Sequence, residues 1–429
     1  METIFAVSSG APPAAIAVLR LSGPNAFEAA ELLAGTLPEP RRAGLRALHD
    51  PASGEMLDRA LVLTFPGPRT ASGEDLVELH LHGGRAVVRA VETALGAIPG
   101  LRPAEPGEFT RRALHNGRLD LSEAEGLGDL LMAETEAQRR MAVRAVEGGV
   151  RRQVDGWAAR LLDLSAQVEA QLDHSDEDDV AGGAESLAGI HAGARALADD
   201  IAQVLARPPV ERLRDGLRVV LAGPPNAGKS TLLNALAGRD AAIVSDIAGT
   251  TRDRIEAPVV RGGTAWLLID TAGLADATID PIEAIGIDRA RAALEEADIV
   301  LWLGDGAAPS HPAVLSLHAR ADLAERAGIS GERLAISAAT GAGLDMLWQR
   351  LDALAAELLP PTDQIALNNR QRSLAARAES GLRLAALQHE MLLLAEDLRG
   401  ARYALDAITG RVGVEAMLDA LFSRFCIGK

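Results

Sequence analysis

The nine residues GPPNAGKST, Gly223 to Thr231, constrain this chain more than any other stretch. They fit G-x-x-x-x-G-K-[ST], follow the apolar run LRVVLA and precede the helix-forming LLNALAG. A strand that turns through such a loop into a helix aims successive backbone N–H groups and a helix N-terminus at one point, which suits a phosphate. Lys229 would then supply charge to the β- and γ-phosphates, and the Ser230 hydroxyl would bind Mg²⁺. Strand-like and helical segments alternate from residue 217 to about residue 358, so the spacing predicts a P-loop α/β domain.

Later motifs narrow the nucleotide to a guanine nucleotide. LLIDTAGL (267–274) is an apolar strand ending in D-x-x-G: Asp270 would hold Mg²⁺ through water, and the Gly273 N–H would sense a γ-phosphate. GTTRD (249–253) lies between these motifs, with Thr251 placed to close on Mg²⁺ in a triphosphate state. ISAATGAGL (336–344) is like the loop that borders guanine. The order is that of a small GTPase domain. Two positions depart from it. The base reader N-K-x-D stands as Ala319-Arg320-Ala321-Asp322, keeping the aspartate for guanine N1 and N2 but losing the asparagine. Leu274 follows D-x-x-G, where Ras-type enzymes carry a glutamine that orients water. Glu283 is either a replacement general base or an ordinary charge on a helix face.

Around this domain the chain reads differently. Residues 1–118 have strand-like runs at Ile4–Val7, Ile16–Leu21, Ala60–Phe65 and Leu76–Leu81, with helices at 25–34 and 86–98. Residues 119–211 and 359–429 read as helical, with Ser122 and Glu125 forming a capping-box signature, DHSDEDDVAGGAES an acidic loop and LLPPTDQ a linker. The expected fold is multidomain, α/β plus all-α: an N-terminal α/β domain (1–118), then a helical domain (119–211 and 359–429) into which the Ras-like P-loop domain (212–358) is inserted. In VELHLH, period-two alternation puts Val77, Leu79 and Leu81 on one face and Glu78, His80 and His82 on the other. That polar face reads either as a metal face or as satisfied polar residues.

Composition bounds the rest. With 48% hydrophobic residues but only 3% aromatics, the cores must be built from aliphatic side chains. A net charge of −17 argues against a large nucleic-acid-coating surface. Arg111, Arg112, Arg118, Arg139, Arg140, Arg144, Arg151 and Arg152 are either a local basic patch or solvated helix faces. The first twenty residues lack a basic stretch and Pro12-Pro13 interrupts their apolar run, which makes a poor secretion signal. No apolar run approaches the roughly 18 residues of a membrane span, so a soluble cytoplasmic protein with no membrane partner is expected.

Taken together, PNAGKS, IVSDIAGTTRD, DTAGL and IEAIGIDRA resemble the MnmE (TrmE) family of tRNA-modifying GTPases. The likeness extends to PGEFTRRALHNGRLDLSEAEGLGDLL, GEDLVELHLHGG and the terminal RFCIGK. It implies an N-terminal folate-binding domain that forms a homodimer, and a GTPase activated by K⁺ and Mg²⁺. On this likeness the GTP contacts are Asn226, Ala227, Gly228, Lys229, Ser230, Thr231, Ser245, Asp246, Ile247, Ala248, Gly249, Thr250, Thr251, Asp270, Thr271, Ala272, Gly273, Asp322, Ser337 and Ala338. Asn226, Ser245, Ile247 and Thr250 would hold K⁺, Ser230 and Thr251 would hold Mg²⁺, and Glu283 would activate water. Arg20, Glu78, Arg118 and Lys429 would bind a 5-formyl-tetrahydrofolate-like cofactor. The family implies an FAD-dependent partner, MnmG, in a heterotetramer or larger complex, and tRNA as the molecule modified. Where the family carries a lysine this chain has Arg118, and the loop VSSGAPPAAIAV departs from the family's TPPGRG-like form.

The only cysteine, Cys426, stands fourth from the end, where a prenylation box would put it. Gly428 and Lys429 suit such a box poorly, and no polybasic stretch precedes it. The resemblance instead carries Lys429 to the folate pocket and Cys426 close to one-carbon chemistry, where its thiol either acts or packs. Two other functions stay open: a ribosome-associated assembly GTPase, and a folate-dependent one-carbon transferase with a weak G domain.

Overall fold

The computed structural model describes residues 2–173, 183–240, 256–271, 292–326 and 333–412, with Leu421, Phe422, Phe425 and Gly428. Ser245 to Thr251, Ala272, Gly273, Leu274, Glu283, Cys426 and Lys429 lie outside the described residues. The chain divides into two compact units. The first comprises Met1–Gly128, Ala145–Ala158 and Leu405–Lys429; the second comprises Asp129–Arg144 and Ala159–Ala404.

In the first unit β1 (Thr3–Val7), β2 (Ile16–Ser22), α1 (Ala26–Ala34), β3 (Gly44–His49), β4 (Met56–Phe65), β5 (Leu76–His82), α2 (Arg85–Gly96) and β6 (Leu101–Pro103) build a sheet of order β3-β4-β5-β2-β1-β6. Only β1 and β6 are parallel. Alternation sets its two faces. Leu19, Leu21, Val62, Leu79 and Leu81 point into a core shared with Leu33 of α1 and Leu95 of α2. The expected parity of VELHLH is therefore observed. On the other face, Ile4 and Ala6 pack under Phe109 of α3 (Glu108–His115). β3 and β6 were not legible in the sequence: β3 is a half-exposed edge strand with Arg46 in its middle, and β6 is three residues long.

α4 (Leu121–Met132) begins one residue after its real cap. The Asp120 carboxylate accepts from Glu123 N (2.8 Å), and Glu123 accepts from Asp120 N (2.8 Å). The expected box at Ser122 and Glu125 is thus displaced by two residues. Ser122 is buried inside the helix and donates to Asp120 (2.7 Å). An aspartate competes well for the cap position, and the spacing of three is the same in both registers.

The second unit contains α5 (Glu136–Val146, shared at its end), most of α6 (Gly149–Asp173), α7 (Gly183–Leu205) and α8 (Glu211–Arg214). Next come β7 (Leu217–Ala222), α9 (Lys229–Asp240), β8 (Glu256–Arg261), β9 (Thr264–Asp270), β10 (Ile299–Trp302), β11 (Val314–His318), β12 (Leu334–Ala335) and α10 (Leu344–Leu358), followed by α11 (Asn369–Ala385) and most of α12 (Met391–Thr409). Helices before and after the sheet pack together. Arg372 of α11 donates to the carbonyls of Leu205 (2.7 Å) and Arg207 (2.8 Å), satisfying the C-terminal end of α7. The sheet has the order β12-β11-β10-β7-β9-β8, parallel except for β8. Its core is aliphatic around one edge-on pair, Trp266 and Trp348, 5.6 Å apart. The multidomain α/β plus helical class read from the sequence is the one observed.

Several of the clustered arginines are spent on neighbours. Arg139 and Arg140 both pair with Glu136, and Arg112 is buried between Glu74 and Glu108. Among the described residues, no helix is long and apolar enough to cross a membrane.

Candidate nucleotide site and the polar face of the first sheet

β7 lies between β9 and β10, so strand order reverses beside it and its carboxyl end opens on a crevice. The P-loop leaves β7 there. Gly223 has φ +152°, and a side chain on it would press within 3.2 Å of Leu303 and Gly304 at the end of β10. Asn226 holds φ +63°, unusual for a residue with a side chain, and Gly228 holds +95°. These angles curl the loop around the start of α9. Lys229, 6% exposed, donates to the carbonyls of Gly223 (3.0 Å) and Pro224 (3.1 Å), so its ammonium spans the mouth of the loop.

The Ser230 hydroxyl, at the start of α9, donates to the Asp270 carboxylate at the end of β9. Two oxygens from separate elements thus converge beside the loop, and an all-oxygen pair suits Mg²⁺. Thr271 is anchored by donating its hydroxyl to the Leu221 carbonyl (2.8 Å).

A cavity of about 520 Å³ runs from Asn226, Gly228, Lys229, Ser230 and Thr231 to Ala319, Arg320, Asp322, Leu323, Ile336, Ala338 and Ala339. Three motifs distant in sequence therefore line one space. Its far end is fixed by backbone bonds from Ile336 N to His318 O (2.9 Å) and from Ala321 N to Ile336 O (3.0 Å). Asp322 is held below the ordinary carboxylate range, chiefly by a hydrogen bond from Ser337, with the charge of Arg320 adding to it. Ser337 in turn accepts from Thr340 N (3.1 Å). Ala227 packs against the core under the loop.

Arg320, which stands where the base reader has a lysine, makes a contact that the motif does not foretell. It takes φ +60° and donates to the Asn226 carbonyl (3.4 Å), tying the base-end loop to the phosphate loop. No pattern in the sequence signals a left-handed arginine.

On the first unit's sheet, Arg20 and Glu78 are direct cross-strand partners on the face opposite the α1/α2 core. Arg20 Nε donates to Glu78 Oε1 at 2.8 Å, and His80 Nε2 lies 3.2 Å from Oε2. Burial alone would raise the Glu78 pKa, but the bonds from Arg20 and His80 outweigh it and hold the carboxyl below its ordinary value. His82 turns away to Asp58, 2.7 Å from Nδ1. The polar face carries the pairs Arg20–Glu78, His80–Glu78 and His82–Asp58; among the described residues no group of three or more histidine, cysteine or acidic side chains is placed to hold a metal. Arg118 is exposed and donates to the Thr70 carbonyl (3.1 Å).

The tail packs in the same unit. Phe422 is fully buried against Gly107, and Phe425 lies 5.7 Å from it, ring to ring, over Gly128. The Gly428 carbonyl accepts from the Ser8 hydroxyl (2.7 Å). Gly428 has φ +94°, and a Cβ there would sit 2.1 Å from the Val7 carbonyl oxygen, so only glycine fits.

The strand order, the loop and the cavity define a P-loop nucleotide-binding protein. Two family models match the chain: "GTP-binding protein TrmE N-terminus" over residues 3–118 and "MnmE helical domain" over residues 121–426. It is 56% identical to the tRNA modification GTPase MnmE of Erythrobacter litoralis, with all of each chain covered. It is 57% identical to that of Rhizorhabdus wittichii, over all of this chain and 97% of that one. The Zymomonas mobilis protein of the same name is 52% identical over all of each. The chain belongs to the MnmE family of tRNA modification GTPases.

Proposed function

We propose that the chain hydrolyses GTP in the cavity between the P-loop and Asp322, and that this cycle drives a tRNA modification. The observation that carries the reading is the single cavity joining Lys229 and Ser230 to Asp322. The Lys229 ammonium stabilises charge that develops on the transferring phosphoryl oxygens. Ser230 and Asp270 would hold Mg²⁺, Asp270 through water, and Thr251 would complete that set. Asn226, on the loop, would hold K⁺ with Ser245, Ile247 and Thr250; K⁺ supplies positive charge where other GTPases insert an arginine. Glu283, acting instead of the glutamine that Leu274 replaces, would orient and deprotonate water.

The modification proposed is addition of an aminomethyl or carboxymethylaminomethyl group at C5 of the wobble uridine of certain tRNAs, with an MnmG-type FAD protein. A folate would supply the one-carbon unit. Arg20 and Glu78 fit such a ligand: they form one donor-acceptor pair on an open sheet face, and Arg20 stays 30% exposed. The seating of Gly428 against Ser8 supports bringing Lys429 toward the same sheet. A homodimer through this domain is supported by Leu45 and Leu61, cross-strand partners that are both exposed.

Single-turnover GTP hydrolysis tests the assignment. Lys229→Ala should lose about 100-fold or more, and Glu283→Ala should lose a similar factor while still binding GTP. Wild-type turnover by both variants would contradict it.

A further inference from the structure

The base end of the cavity carries unusually little polar chemistry. With phosphates at the P-loop, the purine points toward Asp322. A carboxylate matches two adjacent N–H donors, which guanine offers at N1 and the 2-amino group and adenine does not. That docking turns the imidazole ring, with N7, back toward Ala319 and the phosphate loop.

Ala319 is a buried methyl, 5% exposed, and it lines the cavity. Its lining neighbours Leu323, Ile336, Ala338 and Ala339 are also apolar. Arg320, the nearest long donor, directs its guanidinium to the Asn226 carbonyl (3.4 Å). Among the described lining residues at this end, Asp322 is thus the one polar side chain left to meet the base. An asparagine in place of Ala319 could reach N7 with its amide; a methyl leaves that nitrogen to water.

Resting on the GTP reading above, we propose that Asp322 is the one side chain with which this pocket reads guanine, on its N1/2-amino edge, and that Ala319 makes it indifferent to N7. The selectivity for guanine over adenine is retained, because the discriminating donors lie on the Asp322 side. What is given up is affinity contributed by the imidazole edge.

Displacement of a ribose-labelled fluorescent GDP from the full chain in Mg²⁺ and K⁺ tests this with four unlabelled competitors. GDP and 7-deaza-GDP, which lacks N7, should compete within about twofold of each other. IDP, which lacks the 2-amino group, should be weaker by about tenfold or more, and ADP weaker still, since a hydrogen bond to a charged group is lost. Ala319→Asn should introduce a preference for GDP over 7-deaza-GDP of about fivefold. A preference of that size already in the native chain, or IDP equal to GDP, would overturn the proposal. A native chain indifferent to N7 whose Ala319→Asn variant stays indifferent would overturn the role of Ala319. Failure of labelled GDP to bind at all, or competition by ADP equal to GDP, would instead overturn the GTP reading. The native comparison needs no variant to fold.

Discussion

Among the described residues of the first unit, Glu108 is the acid most strongly held by its surroundings. Arg102 donates to both of its oxygens (2.6 and 2.8 Å), Arg112 adds a third bond (3.0 Å), and Glu105 N a fourth (2.9 Å). Burial pushes its pKa up, but these bonds win and hold it at about 2, against 4.5 for a free glutamate. A depressed carboxyl contributes stability that is full above the unfolded value and is lost as pH falls through the folded one. Stability of the first unit should therefore decline from about pH 4.5 toward pH 2, and Glu108→Gln should flatten that decline. At neutral pH the same variant should cost about 2 kcal/mol, because two arginines lose their shared acceptor, part of it discounted for the exposure of Arg102. Urea unfolding followed from neutral pH down through that range measures both. Gly428 offers a second test at this scale. Gly428→Ala collides with Val7 and forces a side chain into a left-handed backbone, a cost of about 1–3 kcal/mol. It should unseat the tail, read as a lower urea midpoint for the first unit. An unchanged midpoint would argue that the fold does not depend on this contact.

At the scale of elements, periodicity and caps did most of the specifying. The strand at Leu76–His82 was legible because its apolar residues alternate from Val77 to Leu81, and the same alternation placed Glu78 beside Arg20 once β2 and β5 paired. The cap of α4 was legible in kind but not in register, since DLSEAE offers two acceptors three residues ahead of an acid and only the backbone decides between them. α11 has an unambiguous box: Asn368 accepts from Gln371 N (2.8 Å), and Gln371 accepts from Asn368 N (3.2 Å). Asn368→Ala should cost about 1 kcal/mol, read as a lower urea midpoint for the second unit. His82 shows where periodicity stops. It shares the polar face of the strand with Glu78 and His80 by parity, yet its ring meets Asp58. Parity fixes a face; a partner on the neighbouring strand decides what a side chain does there.

At the scale of the whole molecule, the P-loop motif was the most legible feature, because its residue types are dictated by backbone geometry that few sequences permit. The cavity joining that loop to Asp322 needed the parallel order of β7, β10, β11 and β12, which no local pattern encodes. The bond from Arg320 to Asn226 was illegible for the same reason: it joins residues 94 positions apart. As proposed, these parts form a GTP hydrolase whose phosphoryl transfer would use K⁺ held near Asn226. The most direct test is the rate of GTP hydrolysis by the full chain in KCl and in NaCl at equal ionic strength. Turnover should be faster in KCl by about tenfold or more, since a fixed cation stabilises charge that develops only in the transition state. Equal rates in the two salts would contradict it.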